Sequence, residues 1–281
     1  MRYSIVFATL LMMALFALSS CRQSQEPPPT IEHEKSATLT AVEAAPTLLT
    51  YFCFPPGKFH QDALKVHKAE LDLFEKCDWR HPDDPNCERP VPALNHVRTA
   101  LAIDNAIALK ALALRSPKSS VLSAAYQDIG PHIEELASSD WKTHEVSEVD
   151  AIAHNMARFA NLVDQARVLK DHQKESSALA AAYKQHASTV NSVAMRPWQK
   201  HEMSGDEEAI LDKVTLAYFI DAARAFQTGV KSTESSTTFL REFNQRSTII
   251  GELAGKDWQK GQLSAEERSA LCMVAESVGS Q

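Results

Sequence analysis

Two His-Glu pairs are the residues of this chain whose type and spacing point most directly to chemistry. His144-Glu145 and His201-Glu202 stand three and four residues after Trp141 and Trp198. Imidazole nitrogens and carboxylate oxygens are transition-metal ligands, and two such loops at one end of a molecule would offer four of them. The same place after Trp258 holds Gly261-Gln262, so the loop forms without the pair. The simpler reading is a solvated loop copied by duplication, and no bound metal or cofactor is expected. "GELAGKD", from Gly251 to Asp257, has too few residues between its glycines for a phosphate loop and ends in Asp. No serine-hydrolase, zinc-protease, dinucleotide or calcium-loop spacing occurs. Acidic residues such as Glu207-Glu208 and Glu266-Glu267 fall at helix starts, where they favour the dipole without catalytic duty. No residue is assigned as catalytic, and the chain is not expected to be an enzyme.

The elements that must position these loops follow from a repeat. "SDWKTHEVSEVD", "RPWQKHEMSGDE" and "KDWQKGQLSAEE" begin at Ser139, Arg196 and Lys256, and the four tryptophans, Trp79, Trp141, Trp198 and Trp258, are 62, 57 and 60 residues apart. Counting back from the last three, position −5 is Leu136, Val193 and Leu253, and position −8 is Ile133, Val190 and Ile250. Position −15 is Tyr126, Tyr183 and Phe243, and position −19 is Leu122, Leu179 and Phe239. In the first unit, positions −5, −8 and −15 are Phe74, Leu71 and Leu64. Spacings of three, four and seven place these on one helical face. Six residues after the last three tryptophans stand Ser147, Ser204 and Ser264, each followed three residues on by Asp150, Glu207 or Glu267. This is the capping-box pattern of a new helix. The unit is a helical hairpin, and the fold expected is all-α: four tandem hairpins at about 58–116, 117–173, 174–232 and 233–281, stacked as a repeat or closed as a bundle.

Each tryptophan has two readings. It is a lid on the core of its hairpin, or one of a row of exposed aromatics that anchors a protein partner. In the second reading Trp141, His144, Glu145, Trp198, His201, Glu202 and Trp258 form the partner-binding surface.

Composition narrows the partner classes. The formal charge is −7, becoming −8 once Arg2 is removed with residues 1–20. A mildly acidic chain without a basic cluster is not expected to bind nucleic acid. Residues 21–57 include three consecutive prolines and little apolar periodicity, and read as a tether. Four further cysteines follow Cys21 and include no CxxC pair, so disulfides are expected rather than a zinc site. Cys77–Cys87 would staple the proline-rich loop "DWRHPDDPNCERP". Cys53–Cys272 would then join the two ends of the folded region and favour a closed form.

The first residues specify location. Arg2 precedes an apolar run of about 14 residues, Ile5 to Leu18, too short to cross a bilayer core of about 30 Å, and of signal-peptide form. "Leu18-Ser19-Ser20-Cys21" resembles the lipobox of bacterial lipoproteins. That resemblance implies cleavage before Cys21, its lipidation, and attachment to a membrane through the lipid. Arg22 in place of an Asp implies the outer membrane, facing the periplasm. The function expected is binding of a protein partner in the periplasm; a concrete version is an immunity or inhibitor protein that neutralises a toxin or a cell-wall-acting enzyme. The competing classes are a structural or assembly factor of the envelope, and a metal- or small-ligand-binding lipoprotein that uses the His loops.

Overall fold

A computed structural model of the chain describes Leu49, Phe52, Cys53 and residues 57–74, 91–174, 177–200, 202–230 and 236–278. Cys21, Cys77, Cys87, Trp79 and His201 lie outside the described residues. The described chain is all helical: α1 (Lys58–Val66), α2 (Lys68–Phe74), α3 (Val91–Arg115), α4 (Val121–Ala137), α5 (Glu148–His172), α6 (Ser177–Ala194), α7 (Gly205–Gly229), α8 (Thr237–Ala254) and α9 (Ala265–Val278). Among the second helices of the hairpins α9 is the short one, with 14 residues against 25 in α3, α5 and α7.

Helix starts are set by side chains. Ser147 and Ser204 each accept from the N–H three residues on, while Asp150 and Glu207 reach back to the cap N–H. Ser264 and Glu267 make the same reciprocal pair at 2.9 and 3.1 Å. Ser120 and Ser236 cap α4 and α8. Each such cap satisfies donors that a helix start otherwise leaves bare. The apolar residues before the boxes, Val146, Met203 and Leu263, pack against the core.

Every helix packs on its chain neighbour, and α3, α5, α7 and α9 also touch one another in that order. The first helices α4, α6 and α8 therefore each sit against two of these second helices. The core is the apolar face read from the repeat: Leu122, Ile133, Leu136, Leu179, Val190, Val193, Ile250 and Leu253 are fully buried. The first unit departs from this pattern, because Leu64 is 39% exposed. As the end of the array, α1 has a neighbour on only one side.

A carboxylate fixes the register inside the first three hairpins. Asp164 of α5 accepts from Val121 N and Leu122 N at 2.9 and 2.8 Å. Asp104 of α3 accepts from Phe59 N and His60 N, and Asp221 of α7 from Leu179 N at 2.8 Å. His60, Leu122 and Leu179 all stand 19 residues before their tryptophan. Each second helix thus caps the start of its own first helix.

Two of the first helices leave helical geometry at a shared position. Twelve residues before their tryptophans, His67 ends α1 and His186 leaves helical geometry inside α6. In α4 the neighbouring residues are Gly130 and Pro131, and a mid-helix proline removes one backbone bond. A tyrosine spans this region in α4 and α6: Tyr126 donates to Glu134 at 2.9 Å and Tyr183 to Asn191 at 3.0 Å, each eight residues on. Burial, with Glu134 adding, raises the Tyr126 hydroxyl to about 12.

The two ends of the array are joined as the cysteine pairing anticipates. Cys53 and Cys272 form a disulfide with Cα atoms 5.6 Å apart. Leu49 and Phe52 are fully buried. Phe52 packs on Tyr218 and Phe219 of α7 at ring distances of 5.4 and 5.9 Å, and its carbonyl accepts from Arg268 of α9. Four residues beyond Cys53, Gly57 lies against Asp104 of α3, with no room for a Cβ. The far end of the stretch assigned to a tether is therefore a strap that belongs to the fold. The stacked and closed alternatives are both present: the helices stack in order, and the strap closes them.

Asp164→Ala leaves two buried N–H groups bare and is expected to cost about 2 kcal/mol in urea denaturation, more than Asp221→Ala. An unchanged midpoint for Asp164→Ala would refute the capping role.

Candidate functional site

The N-terminal ends of α3 and α5 and the loop between α4 and α5 enclose a cleft of about 650 Å³. This falls in the range of small-molecule pockets. His144 and Glu145, singled out in the sequence, both line it, together with His96, Arg98 and Thr99 of α3 and Ala151, His154 and Asn155 of α5. His201 lies outside the described residues, and Glu202 is exposed on the loop before α7.

The shared Asp positions show why the chain is hollow here. Setting Asp104 on Asp164 aligns "NHVRTALAID" of α3 with "NMARFANLVD" of α5, and setting Asp164 on Asp221 carries α5 onto α7. At the aligned places α5 carries Met156, Phe159 and Leu162 and α7 carries Leu211; Phe159 and Leu211 are 3% and 2% exposed. Between α3 and α5 the same places hold His96, Thr99, Ala102 and His154. Smaller and more polar side chains at four equivalent positions leave the cleft. The Asn-x-x-Arg-x5-Asp recurrence that reveals this is visible in the sequence but falls on the second helix, away from the tryptophan phrase.

The imidazoles have different surroundings. His96 Nδ1 and His67 Nε2 are 3.0 Å apart, and both rings stand edge-on to Trp141 at about 6 Å. His144 Nε2 lies 3.7 Å from Asp150 Oδ2, beyond hydrogen-bond distance. Among the described residues, the buried Nε2 atoms of His144 and His154 have no hydrogen-bond partner. Burial pushes His154 below the usual imidazole range, and Arg158 adds to this.

The cap acids show what His144 does for the fold. In the third hairpin, Arg196 bonds both Glu207 and the Glu202 carbonyl. In the fourth, Lys256 bonds Glu267 at 2.6 Å and the Gln262 carbonyl at 2.8 Å. Both cations stand two residues before a tryptophan, where the second hairpin has Ser139, and there the His144 imidazole stands 3.7 Å from Asp150 instead. Arg196, with the Ser204 backbone, holds Glu207 down at about 2. Gly261 occupies the His position of the fourth loop, where a Cβ would come within 2.9 Å of the Asp257 carbonyl. A side chain at that position would need this loop to shift.

Of the three described tryptophans, Trp141 and Trp258 face the preceding hairpin. Trp141 is 5% exposed, sealed against His67 and His96 of the preceding hairpin. Trp258 stands edge-on to His186 of its preceding hairpin, and both Trp198 and Trp258 are half-buried against the core. Trp141 is thus enclosed, whereas Trp198 and Trp258 keep part of their surface open. Among the described residues no three His, Cys, Asp or Glu side chains gather to hold a metal ion. The cleft instead offers hydrogen-bond donors from imidazole, guanidinium, carboxamide and hydroxyl groups beside two helix N-termini. The chain matches no protein-family model, no curated protein and no solved structure.

The Leu at the repeat-equivalent position gives a direct test of the His154 environment. His154→Leu removes a buried unpartnered nitrogen and is expected to stabilise by about 1 kcal/mol at pH 7. Because the folded-state imidazole is held below its unfolded value, the parent loses stability as pH falls below about 6.5, whereas the variant lacks this loss. The gap between the two melting temperatures therefore widens from pH 7 to pH 5. A constant gap would show that His154 does not titrate on unfolding.

Proposed function

We propose that this chain is a lipid-anchored protein of the bacterial envelope that works by binding another protein, in the manner of an immunity or inhibitor lipoprotein. The observation that carries the reading is the Cys53–Cys272 bond, which joins residues 219 positions apart. Such bonds persist in oxidising compartments such as the periplasm, and the lipobox-like Cys21 stands only 32 positions before Cys53. No described helix is long and apolar enough to cross a membrane, so attachment in this reading rests on the lipid.

The binding surface is the loop end of the first two hairpins. There the cleft supplies directional polar groups, and the residues next to its lining supply apolar area: Leu101, Val149 and Ile152 are 42%, 53% and 42% exposed. A polar pocket beside exposed aliphatic side chains is the make-up of a protein-docking site. Helical arrays present such surfaces without needing a reaction centre.

Cys21→Ser is expected to abolish palmitate labelling and globomycin-sensitive processing; a variant that is still labelled would refute the anchor. A photo-cross-linker at Ile152 of the full chain, activated in living cells, is expected to give one discrete protein adduct, whereas one at Leu114 of α3, 69% exposed, is not. Equal or absent adducts at both positions would remove the docking surface.

A further inference from the structure

The repeat supplies a reference for the cleft, because its second seam is complete where its first is not. Arg158 of α5 is ion-paired with Glu208 of α7 at 2.9 Å. In the alignment anchored on Asp104, Asp164 and Asp221, Arg98 of α3 is the counterpart of Arg158, and Ala151 of α5 is the counterpart of Glu208. The guanidinium is kept and the carboxylate is lost. Arg98 and Ala151 both line the cleft, and among the described residues Arg98 makes no ion pair. Glu145, the one acid in the lining, makes none either.

We propose that the cleft between α3 and α5 binds a carboxylate from outside the fold, which takes at Arg98 the place that Glu208 takes at Arg158. The planar guanidinium fork matches a carboxylate in two-point geometry. Asn95 and Asn155, carboxamides at equivalent positions of the two helices, line the same space and add donors. The N-terminal ends of α3 and α5 favour negative charge there. The lining contains one Arg, no Lys and one Glu, a balance that suits a single negative charge and disfavours a doubly charged phosphate. The space left by Thr99 and Ala102, where α5 has Phe159 and Leu162, admits an apolar body behind the carboxylate. This deepens the protein-binding reading by naming what a partner inserts, an acidic side chain or a chain terminus; a free small carboxylate has the same chemistry.

The test uses the full chain with benzoate, inorganic phosphate and an acidic hexapeptide as probes, read by thermal shift and by tryptophan emission, since Trp141 stands beside His96. Benzoate or the peptide is expected to raise the melting temperature, and phosphate much less. A response to benzoate assigns a small-molecule carboxylate, and a response to the peptide alone assigns a protein segment. Arg98→Gln weakens the response by about tenfold or more, whereas Arg158→Gln, which breaks the internal pair, leaves it in place. Ala151→Glu rebuilds the missing partner, so it abolishes probe binding and raises the melting temperature of the chain without probe. No carboxylate response, a response unchanged by Arg98→Gln, or Ala151→Glu protein that still binds the probe as the parent does would each overturn the proposal. Failure here with a cross-link retained at Ile152 removes the carboxylate and leaves the docking surface standing.

Discussion

Three carboxylates in the middle of second helices hold this array in register. Asp104, Asp164 and Asp221 each accept backbone N–H groups at the start of the first helix of their own hairpin. A helix start leaves donors without partners, and in most helices a local Ser or Asp supplies the acceptor. Here the acceptor also comes from the returning helix, so local helix formation and hairpin pairing are one event. For Asp164 the arrangement has a cost: burial pushes its carboxyl upward against the pull of the two N–H groups and Arg167. The same side chains define the alignment that relates one seam to the next. Without them the difference between a filled and a hollow seam would have no measure.

Much of the fold is legible in the sequence because the tryptophan phrase marks both sides of a turn. The apolar positions before it are the buried face, and the Ser-x-x-acid pattern after it is a capping box in all three places where it was read. Leu64 breaks the pattern because periodicity reports which face is apolar and says nothing of whether a neighbour covers it. The strap is legible in the sequence only through its cysteine, since the Cys53–Cys272 bond follows from the pairing. Leu49 and Phe52 belong to no periodic element that would report their burial.

The site was legible only in part. His144 and Glu145 stood out because they follow a tryptophan, and both line the cleft. His96, Arg98 and His154 lie on helices whose tryptophan-anchored pattern had already faded. Their meaning comes from what the equivalent positions hold one hairpin later. A histidine is unremarked until Leu211 is seen in its place, and an arginine is ordinary until its partner Glu208 is found replaced by Ala151. Duplication gives each seam an internal control, which a single-copy fold lacks.

The strap also decides how this molecule carries load. Cys53 precedes every hairpin and Cys272 lies in the last helix, so all four hairpins fall inside one covalent ring. Tension that enters the chain ahead of Cys53 and leaves after Cys272 passes through the sulfur–sulfur bond and bypasses the 218 residues between them. A helical array pulled from its ends usually peels repeat by repeat, because each unit contacts only its neighbours. In this one, the part of the chain that contains the cleft is mechanically silent. A pull from the N-terminal side can rotate or displace the folded body as a whole, yet it cannot open the first seam by unwinding the helices that form it.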